Sequence, residues 1–144
     1  MTTQILAIAN QKGGVAKTTT VASLGAALAE QGKSVLIVDL DPQACLTFSL
    51  GIDPEDLELS VHHVLTKGLP VSEVLIETED GVDLLPATIE LARAEADLLT
   101  RTGREYVLRA ALEDVDGYDW VLLDCPPSLG VLTVAALTAA SAVL

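Results

Sequence analysis

The sequence predicts an α/β fold, with a doubly wound, mainly parallel sheet and helices on both faces. Short apolar runs alternate with longer stretches in which Ala, Leu and Val recur at helical spacing. Two of these runs, SVLIVD at 34–39 and DWVLLD at 119–124, are almost uninterrupted, which is typical of strands covered on both faces of a parallel sheet. Such alternation implies right-handed crossovers within one layered sheet.

The individual elements follow from the same pattern. Strands are expected at 4–9, 34–39, 82–86 and 119–124, and helices at 18–30, 89–100 and 104–113. The segment 42–80 carries turn signals at Gly51, Pro54 and Gly68, so we expect only short helices there, around Leu46, at 61–67 and at 71–76. Asp39, Asp41 and Asp124 fall at the carboxyl ends of strands, where doubly wound sheets bind their ligands.

The composition indicates one globular domain covering residues 1–144. Half of the residues are hydrophobic and 20% are charged, so the chain can bury enough apolar surface to fold. Aromatic residues make up only 3%, which argues against the stacking platforms of single-stranded nucleic-acid binders. The net charge of -13 repels a phosphate backbone, so any DNA contact must be local or come from outside this chain.

Targeting and redox signals favour a cytoplasmic protein. Cys45 and Cys125 lack the spacing of a disulfide framework or a metal site, and the N-terminus lacks the basic start and cleavage site of a signal peptide. The uncharged stretch 125–144 is interrupted by prolines and a glycine, so we expect a loop, a buried helix and the start of a strand instead of a membrane segment. The apolar run 142–144 predicts a domain truncated at its C-terminus.

The segment NQKGGVAKTTT, between the first predicted strand and the first predicted helix, has the residues of a phosphate-binding loop. In such a loop, glycines such as Gly13 and Gly14 let backbone N–H groups close around phosphate oxygens. Lys17 would neutralise the terminal phosphates, and the hydroxyl of Thr18 would bind magnesium. Thr19 is expected to donate a hydrogen bond to the α-phosphate.

This loop departs from the common pattern GxxxxGK[ST], because Gln11 and Ala16 stand where that pattern has glycine. Lys12 nevertheless supports the interpretation, since the segment resembles the deviant Walker A loop KGGxGKT[ST] of the ParA, MinD and nitrogenase iron-protein superfamily. The resemblance places Val15 and Ala16 in the nucleotide site with their neighbours. If the position of Ala16 needs a positive φ, alanine costs about 1 kcal/mol relative to glycine, so we expect weaker or slower nucleotide handling.

Two further motifs extend the resemblance. DLDPQ at 39–43 resembles switch I of ParA proteins, and LDCPPSLG at 123–130 resembles their Walker B and switch II motifs. The resemblance implies that Asp41 orients or activates the attacking water, that Asp124 holds a magnesium-bound water and that Asp39 supports the same shell. Strand-end carboxylates next to a phosphate site suit a magnesium ion that keeps several waters.

The resemblance implies an ATPase of the partitioning type. The expected cofactors are ATP and Mg²⁺, with Lys12, Lys17 and Asp41 as the catalytic residues and Lys12 acting across an ATP-dependent homodimer. The implied partners are a ParB-like stimulating protein and non-specific DNA, the latter bound through regions mostly outside this chain. The implied location is the cytoplasm, in association with the nucleoid.

The sequence leaves two alternatives open. A MinD-like cell-division ATPase would carry a different sequence after its DxD motif, so Pro42 and Gln43 argue against it. A nucleotide-sensing module without turnover is suggested by Ala16.

Basic and acidic residues alternate along the helices predicted at 89–100 and 104–113. We expect their side chains to form salt-bridged, solvated helix faces and not a DNA-binding patch. The residues concerned are Arg93, Arg101, Arg104 and Arg109, with Glu90, Glu95, Asp97 and Glu105.

Overall fold

The structure, a computed structural model, describes residues 3–9 and 15–144, apart from the side chains of Val15 and Ala16. Within this part of the chain, six strands form one sheet in the order β3-β4-β2-β5-β1-β6. Neighbouring strands are parallel except for β3 and β4. The predicted mainly parallel sheet is therefore confirmed. The strands are β1 Gln4–Ile8, β2 Val35–Asp39, β3 Ile76–Glu77, β4 Asp83–Leu85, β5 Trp120–Asp124 and β6 Ala142–Val143.

The helices lie between these strands in chain order. They are α1 Val15–Glu30, α2 Cys45–Ser49, α3 Val61–Lys67, α4 Val71–Val74, α5 Leu91–Leu98, α6 Val107–Glu113 and α7 Val131–Ala139, with 3₁₀ turns at Pro54–Asp56 and Arg104–Tyr106. The expected loop, helix and strand in 125–144 are present as a loop followed by α7 and β6. No helix in the described ranges is long and apolar enough to cross a bilayer.

The prediction of a helix over 71–76 is wrong at its C-terminal end. Helix α4 stops at Val74, and Leu75 is extended, with φ -61° and ψ 152°. The next residues then pair with β4 in antiparallel register, Ile76 with Leu84 and Glu77 with Asp83. Backbone N–H and C=O groups that a longer helix would have paired internally therefore form hydrogen bonds with strand β4 instead.

Alternating side chains of the central strands pack against helices on both faces of the sheet. All five residues of β2 are buried, and β2 pairs with β4 on one side and β5 on the other. Ile37 and Leu122 belong to the apolar cluster that includes Val21 of α1. Leu36 and Leu123 belong to the opposite cluster, which contains residues of α3, α5, α6 and α7. Burial on both faces explains why these strands are nearly continuous in aliphatic residues.

The strand register brings three carboxyl ends to one edge of the sheet. Asp124 of β5 lies beside Ile8 of β1 and beside Asp39 of β2. The backbone N–H of Leu40 then donates to the carbonyl oxygen of Asp124 at 3.0 Å, which continues the pairing one residue past β2. Helix α1 begins at Val15, a few residues after β1 ends. The sequence motifs that follow β2 and β5 therefore meet near the helix that follows β1.

Replacement of Gly25 by valine should destabilise the protein by about 2 kcal/mol, because overpacking a buried contact costs about 1–3 kcal/mol. A Cβ atom at Gly25 would lie 2.7 Å from Cδ1 of the buried Ile37, where α1 crosses β2. Ala27→Val is the matched control, since Ala27 is exposed on the same helix. Urea unfolding measures both variants, and equal stabilities would contradict this account of the α1 contact.

Candidate functional site

Lys17 and Asp124 form an ion pair at the edge where the strand ends meet. Nζ of Lys17, in the first part of α1, donates to Oδ1 of Asp124, the last residue of β5. Lys17 is 3% exposed and Asp124 is fully buried. Because isolated charges are costly to bury, each of these groups depends on the other. The pair holds the start of α1 against the carboxyl end of β5.

Asp124 has a second carboxylate oxygen that can accept another partner. Oδ2 is buried and makes no hydrogen bond within the described residues. Burial raises the pKa of Asp124, and the negative charge of Asp41 raises it further, whereas Lys17 and the Thr18 hydroxyl lower it. A free carboxylate oxygen with a hydroxyl nearby is a donor set that suits Mg²⁺, which prefers oxygen ligands and retains waters. Thr18 and Asp124 therefore fit the predicted magnesium site.

Both carboxylate oxygens of Asp39 already accept hydrogen bonds. Oδ1 accepts from the backbone N–H of Asp41 at 3.1 Å, and Oδ2 accepts from the backbone N–H and the hydroxyl of Thr47 at 3.0 and 2.7 Å. Burial raises the pKa of Asp39 to about 7, and the charge of Asp124 adds to this, while the hydrogen bonds from Thr47 and Asp41 oppose it. With its oxygens engaged in this way, Asp39 is placed to support a metal site and not to bind the ion directly.

Thr47 is a residue of this site that the sequence analysis missed. It is fully buried in α2, and its Oγ1 also accepts a hydrogen bond from the backbone N–H of Ala87 at 3.0 Å. Thr47 thereby connects Asp39, at the end of β2, to the chain that follows β4. The only signal in the sequence is a threonine within the short helix CLTFS, and this signal is weak because a threonine there could equally face solvent.

Asp41 lies in the turn that follows β2 and is 8% exposed. Its Oδ1 accepts from the backbone N–H of Gln43 at 3.0 Å, and its carbonyl oxygen accepts from the N–H of Ala44 at 2.9 Å. These bonds fix the Asp41 carboxylate in a tight turn. Its negative charge raises the pKa of both Asp124 and Glu95, so it lies within electrostatic reach of each. The structure therefore brings Asp41, Asp39, Asp124 and Lys17 together.

Part of the predicted phosphate loop lies outside the described residues. Lys12, Gly13 and Gly14 belong to that part, as do the side chains of Val15 and Ala16, whose backbone begins α1. Thr19 lies on α1 and is exposed.

The cysteines and histidines form no additional centre among the residues that the structure covers. Burial raises the pKa of the Cys125 thiol to about 12, which makes it inert, and Cys45 is an exposed free thiol. Within the described ranges, no group of three or more His, Cys, Asp or Glu side chains is placed to hold a metal ion by itself.

The fold and this arrangement define the P-loop nucleotide-binding class. Its marks here are a mainly parallel sheet, a buried lysine early in the helix after β1, and carboxylates at the ends of neighbouring strands. Residues 3–144 match the family model described as an AAA domain, and the chain belongs to this family.

Curated relatives agree with the resemblance of the motifs. The chain is 49% identical to the sporulation initiation inhibitor protein Soj of Bacillus subtilis over 143 residues, which cover 98% of this chain and 56% of Soj. It is 47% identical to the chromosome partitioning protein ParA of Caulobacter vibrioides, covering 97% of this chain and 54% of ParA. The chain thus spans about half the length of these relatives.

Solved structures share the same fold. A Mycobacterium smegmatis protein described as cobyrinic acid a,c-diamide synthase, with a bound ATP analog and magnesium, is 64% identical with a TM-score of 0.96, covering 99% of this chain and 59% of that one. The ATP complex of a substituted form of Cyanothece McdA is 28% identical with a TM-score of 0.89, covering 98% of this chain and 55% of that one.

Replacing Thr47 with valine should destabilise the protein by about 1–3 kcal/mol, because valine keeps the shape but removes the hydroxyl from two buried polar groups. The folded pKa of Asp39, about 7, exceeds its ordinary value of 3.8, so charging Asp39 costs stability as the pH rises between these values. The hydrogen bonds from Thr47 favour the charged form of Asp39. The loss of stability in Thr47→Val should therefore be larger at pH 8 than at pH 5.

Thr47→Ser is the control, since serine retains the hydroxyl. Urea unfolding of all three proteins at both pH values provides the measurement. A loss that is the same at pH 5 and pH 8 would show that Thr47 contributes packing alone.

Proposed function

We propose that this chain is the nucleotide-binding part of a magnesium-dependent ATPase that serves as a dimerisation switch in chromosome or plasmid partitioning. The observation that carries the proposal is the buried Lys17–Asp124 pair, flanked by Asp39 and Asp41 at the carboxyl edge of the sheet. The partitioning role is supported by the names of the relatives Soj and ParA.

In this proposal Lys17 binds the terminal phosphates of ATP. An ammonium group has three donors, so Lys17 can keep its contact with Asp124 and still donate to phosphate oxygens. The N-terminus of the 16-residue helix α1 adds backbone N–H groups and a favourable dipole for the anion. Thr19 would donate to the α-phosphate, while Gly13, Gly14, Val15 and Ala16 would form the rest of the loop.

Magnesium, when bound, supplies positive charge that neutralises the phosphates as the terminal bond breaks. Thr18 and Asp124 would hold the ion, Asp124 through a water molecule. Asp39 would keep that water shell oriented, itself fixed by Thr47 and the N–H of Asp41. The high folded pKa of Asp39 is consistent with a group that is completed by a nearby cation.

Asp41 is the residue proposed to orient the attacking water. The N–H of Gln43 holds Oδ1 of its carboxylate, and the other carboxylate oxygen would accept a hydrogen bond from that water. Hydrolysis in this class depends on positioning and charge stabilisation and needs no covalent intermediate. Lys12 is proposed to reach the phosphates of the second subunit and so to link ATP binding to formation of a homodimer.

The partners belong to the same proposal. A ParB-like protein would stimulate hydrolysis, and non-specific DNA would be bound through regions mostly outside this chain, since the net charge here is -13. The proposed location is the cytoplasm, in association with the nucleoid.

Two other functions compete for the same nucleotide site. A sensing module without turnover is suggested by Ala16 in the phosphate loop, and ATP-dependent amide synthesis by the description of the 64% identical Mycobacterium smegmatis structure. Steady-state phosphate release distinguishes these two functions from the proposed partitioning ATPase. A sensing module releases none, a partitioning ATPase responds to DNA and its stimulating protein, and an amide synthase responds to cobyrinic acid with glutamine or ammonia.

The variant Asp41→Ala should retain ATP binding but lose turnover, because Asp41 is assigned to the water and not to the nucleotide. We expect phosphate release to fall by about 100-fold or more, while the Kd for ATP changes by less than about threefold. Calorimetry and a phosphate-release assay give the two values. Asp56→Ala serves as the control, since it removes an exposed carboxylate of a 3₁₀ turn. Undiminished release by Asp41→Ala would remove Asp41 from the mechanism.

A further inference from the structure

Gly130, the last residue of the LDCPPSLG motif, lies against the side chain of Glu95. A Cβ atom at Gly130 would be 3.1 Å from Oε2 of Glu95 and 3.6 Å from Oγ of Ser128. The backbone of Gly130 has φ -78° and ψ -171°, a conformation that any residue adopts. A side chain at this position would therefore crowd a carboxylate from another helix, which would have to shift by a few tenths of an ångström.

Glu95 was expected on a salt-bridged, solvated face, but the structure places it elsewhere. It is half-buried on α5, and its carboxylate lies next to the space that a side chain at Gly130, the N-cap residue of α7, would occupy. Helix α7 has no acidic residue in its first turn and no side-chain hydrogen bond at its N-cap. Glu95 thus supplies, from a neighbouring helix, the negative charge that favours a helix N-terminus.

The segment 126–130, here called the Walker B loop, is held on its other side by Thr133. The buried hydroxyl of Thr133, in the first turn of α7, donates to the carbonyl oxygen of Ser128 at 2.5 Å. The loop is therefore hydrogen-bonded to α7, and its last residue lies next to the Glu95 side chain of α5. It directly follows Asp124 and Cys125, so a shift of the loop would move the Asp124 carboxylate that is assigned to magnesium.

Glu95 also lies within electrostatic range of the turn that carries Asp41. Its pKa is raised, first by burial and then by the negative charge of Asp41. The Asp41 carboxylate is therefore close enough to interact with Glu95 through space. Glu95 is thus next to Gly130 of the Walker B loop and within electrostatic range of Asp41.

We propose that Glu95 is a positioning residue of the nucleotide site, which sets the Walker B loop relative to Asp41 by occupying the space beside Gly130. This inference rests on the proposed ATPase function. Glu95 does not itself touch the phosphates. It acts by keeping Gly130 and the start of α7 in place, so its loss changes how the site is arranged for the reaction more than how tightly ATP binds.

A double-mutant cycle in the full-length protein tests the proposal. Glu95→Ala removes the carboxylate, and Gly130→Ala pushes against it. Each single variant should lower kcat for ATP hydrolysis by about tenfold and change KM by less than about twofold. The double variant should be no worse than Glu95→Ala alone, because the added methyl group then has room. Asp97→Asn, which removes an exposed charge from the same helix, is the matched control and should leave kcat unchanged.

Hydrogen exchange provides a readout that does not depend on turnover. In protein without nucleotide, Glu95→Ala should increase amide exchange in residues 128–134 by about tenfold, whereas Asp97→Asn should not. If the parent protein releases no phosphate, the proposed ATPase function fails, and this exchange measurement alone decides the role of Glu95. Unchanged exchange in Glu95→Ala, or multiplicative losses of kcat in the double variant, would overturn the proposal.

Discussion

The buried ion pair between Lys17 and Asp124 is the contact on which the arrangement of this site depends. It joins the start of α1 to the end of β5, in the middle of the sheet. Removing one partner of such a pair leaves an uncompensated buried charge, at a cost of about 3–5 kcal/mol. The pair therefore fixes a helix N-terminus, with its N–H groups and its lysine, beside carboxylates that can serve a magnesium ion.

Several carboxylates lie near this pair, and burying their negative charges costs free energy. The pKa of Asp39 and that of Asp124 are both raised by burial, and neighbouring carboxylates raise them further. Hydrogen bonds from Thr47 and Lys17 offset part of that cost. A bound cation would stabilise such a cluster, because each carboxylate would then interact with a positive charge as well as with the neighbouring negative ones. The same clustering accounts for the coupling of Glu95 to Asp41.

The sequence predicted the sheet and the central residues because their signals are local. Continuous aliphatic runs marked β2 and β5, and the acidic residues closing them identified Asp39 and Asp124. The roles of Thr47 and Glu95 could not be predicted, since they depend on contacts with Ala87 and Gly130, which are 40 and 35 residues away. Strand β3 was missed for the same reason: it exists through pairing with β4, whereas its own two residues carry almost no pattern.

The most direct test of the site replaces Mg²⁺ with Mn²⁺ and measures its binding by electron paramagnetic resonance in the full-length protein with a slowly hydrolysed ATP analogue. The account predicts that Mn²⁺ binds with the nucleotide and that Asp124→Asn weakens its affinity by about tenfold or more, because Asp124 orients the waters of the ion. Asp56→Asn, at an exposed position, should leave that affinity unchanged. Equal Mn²⁺ affinity in the parent and Asp124→Asn would contradict the assignment of this carboxylate cluster to a metal–nucleotide site.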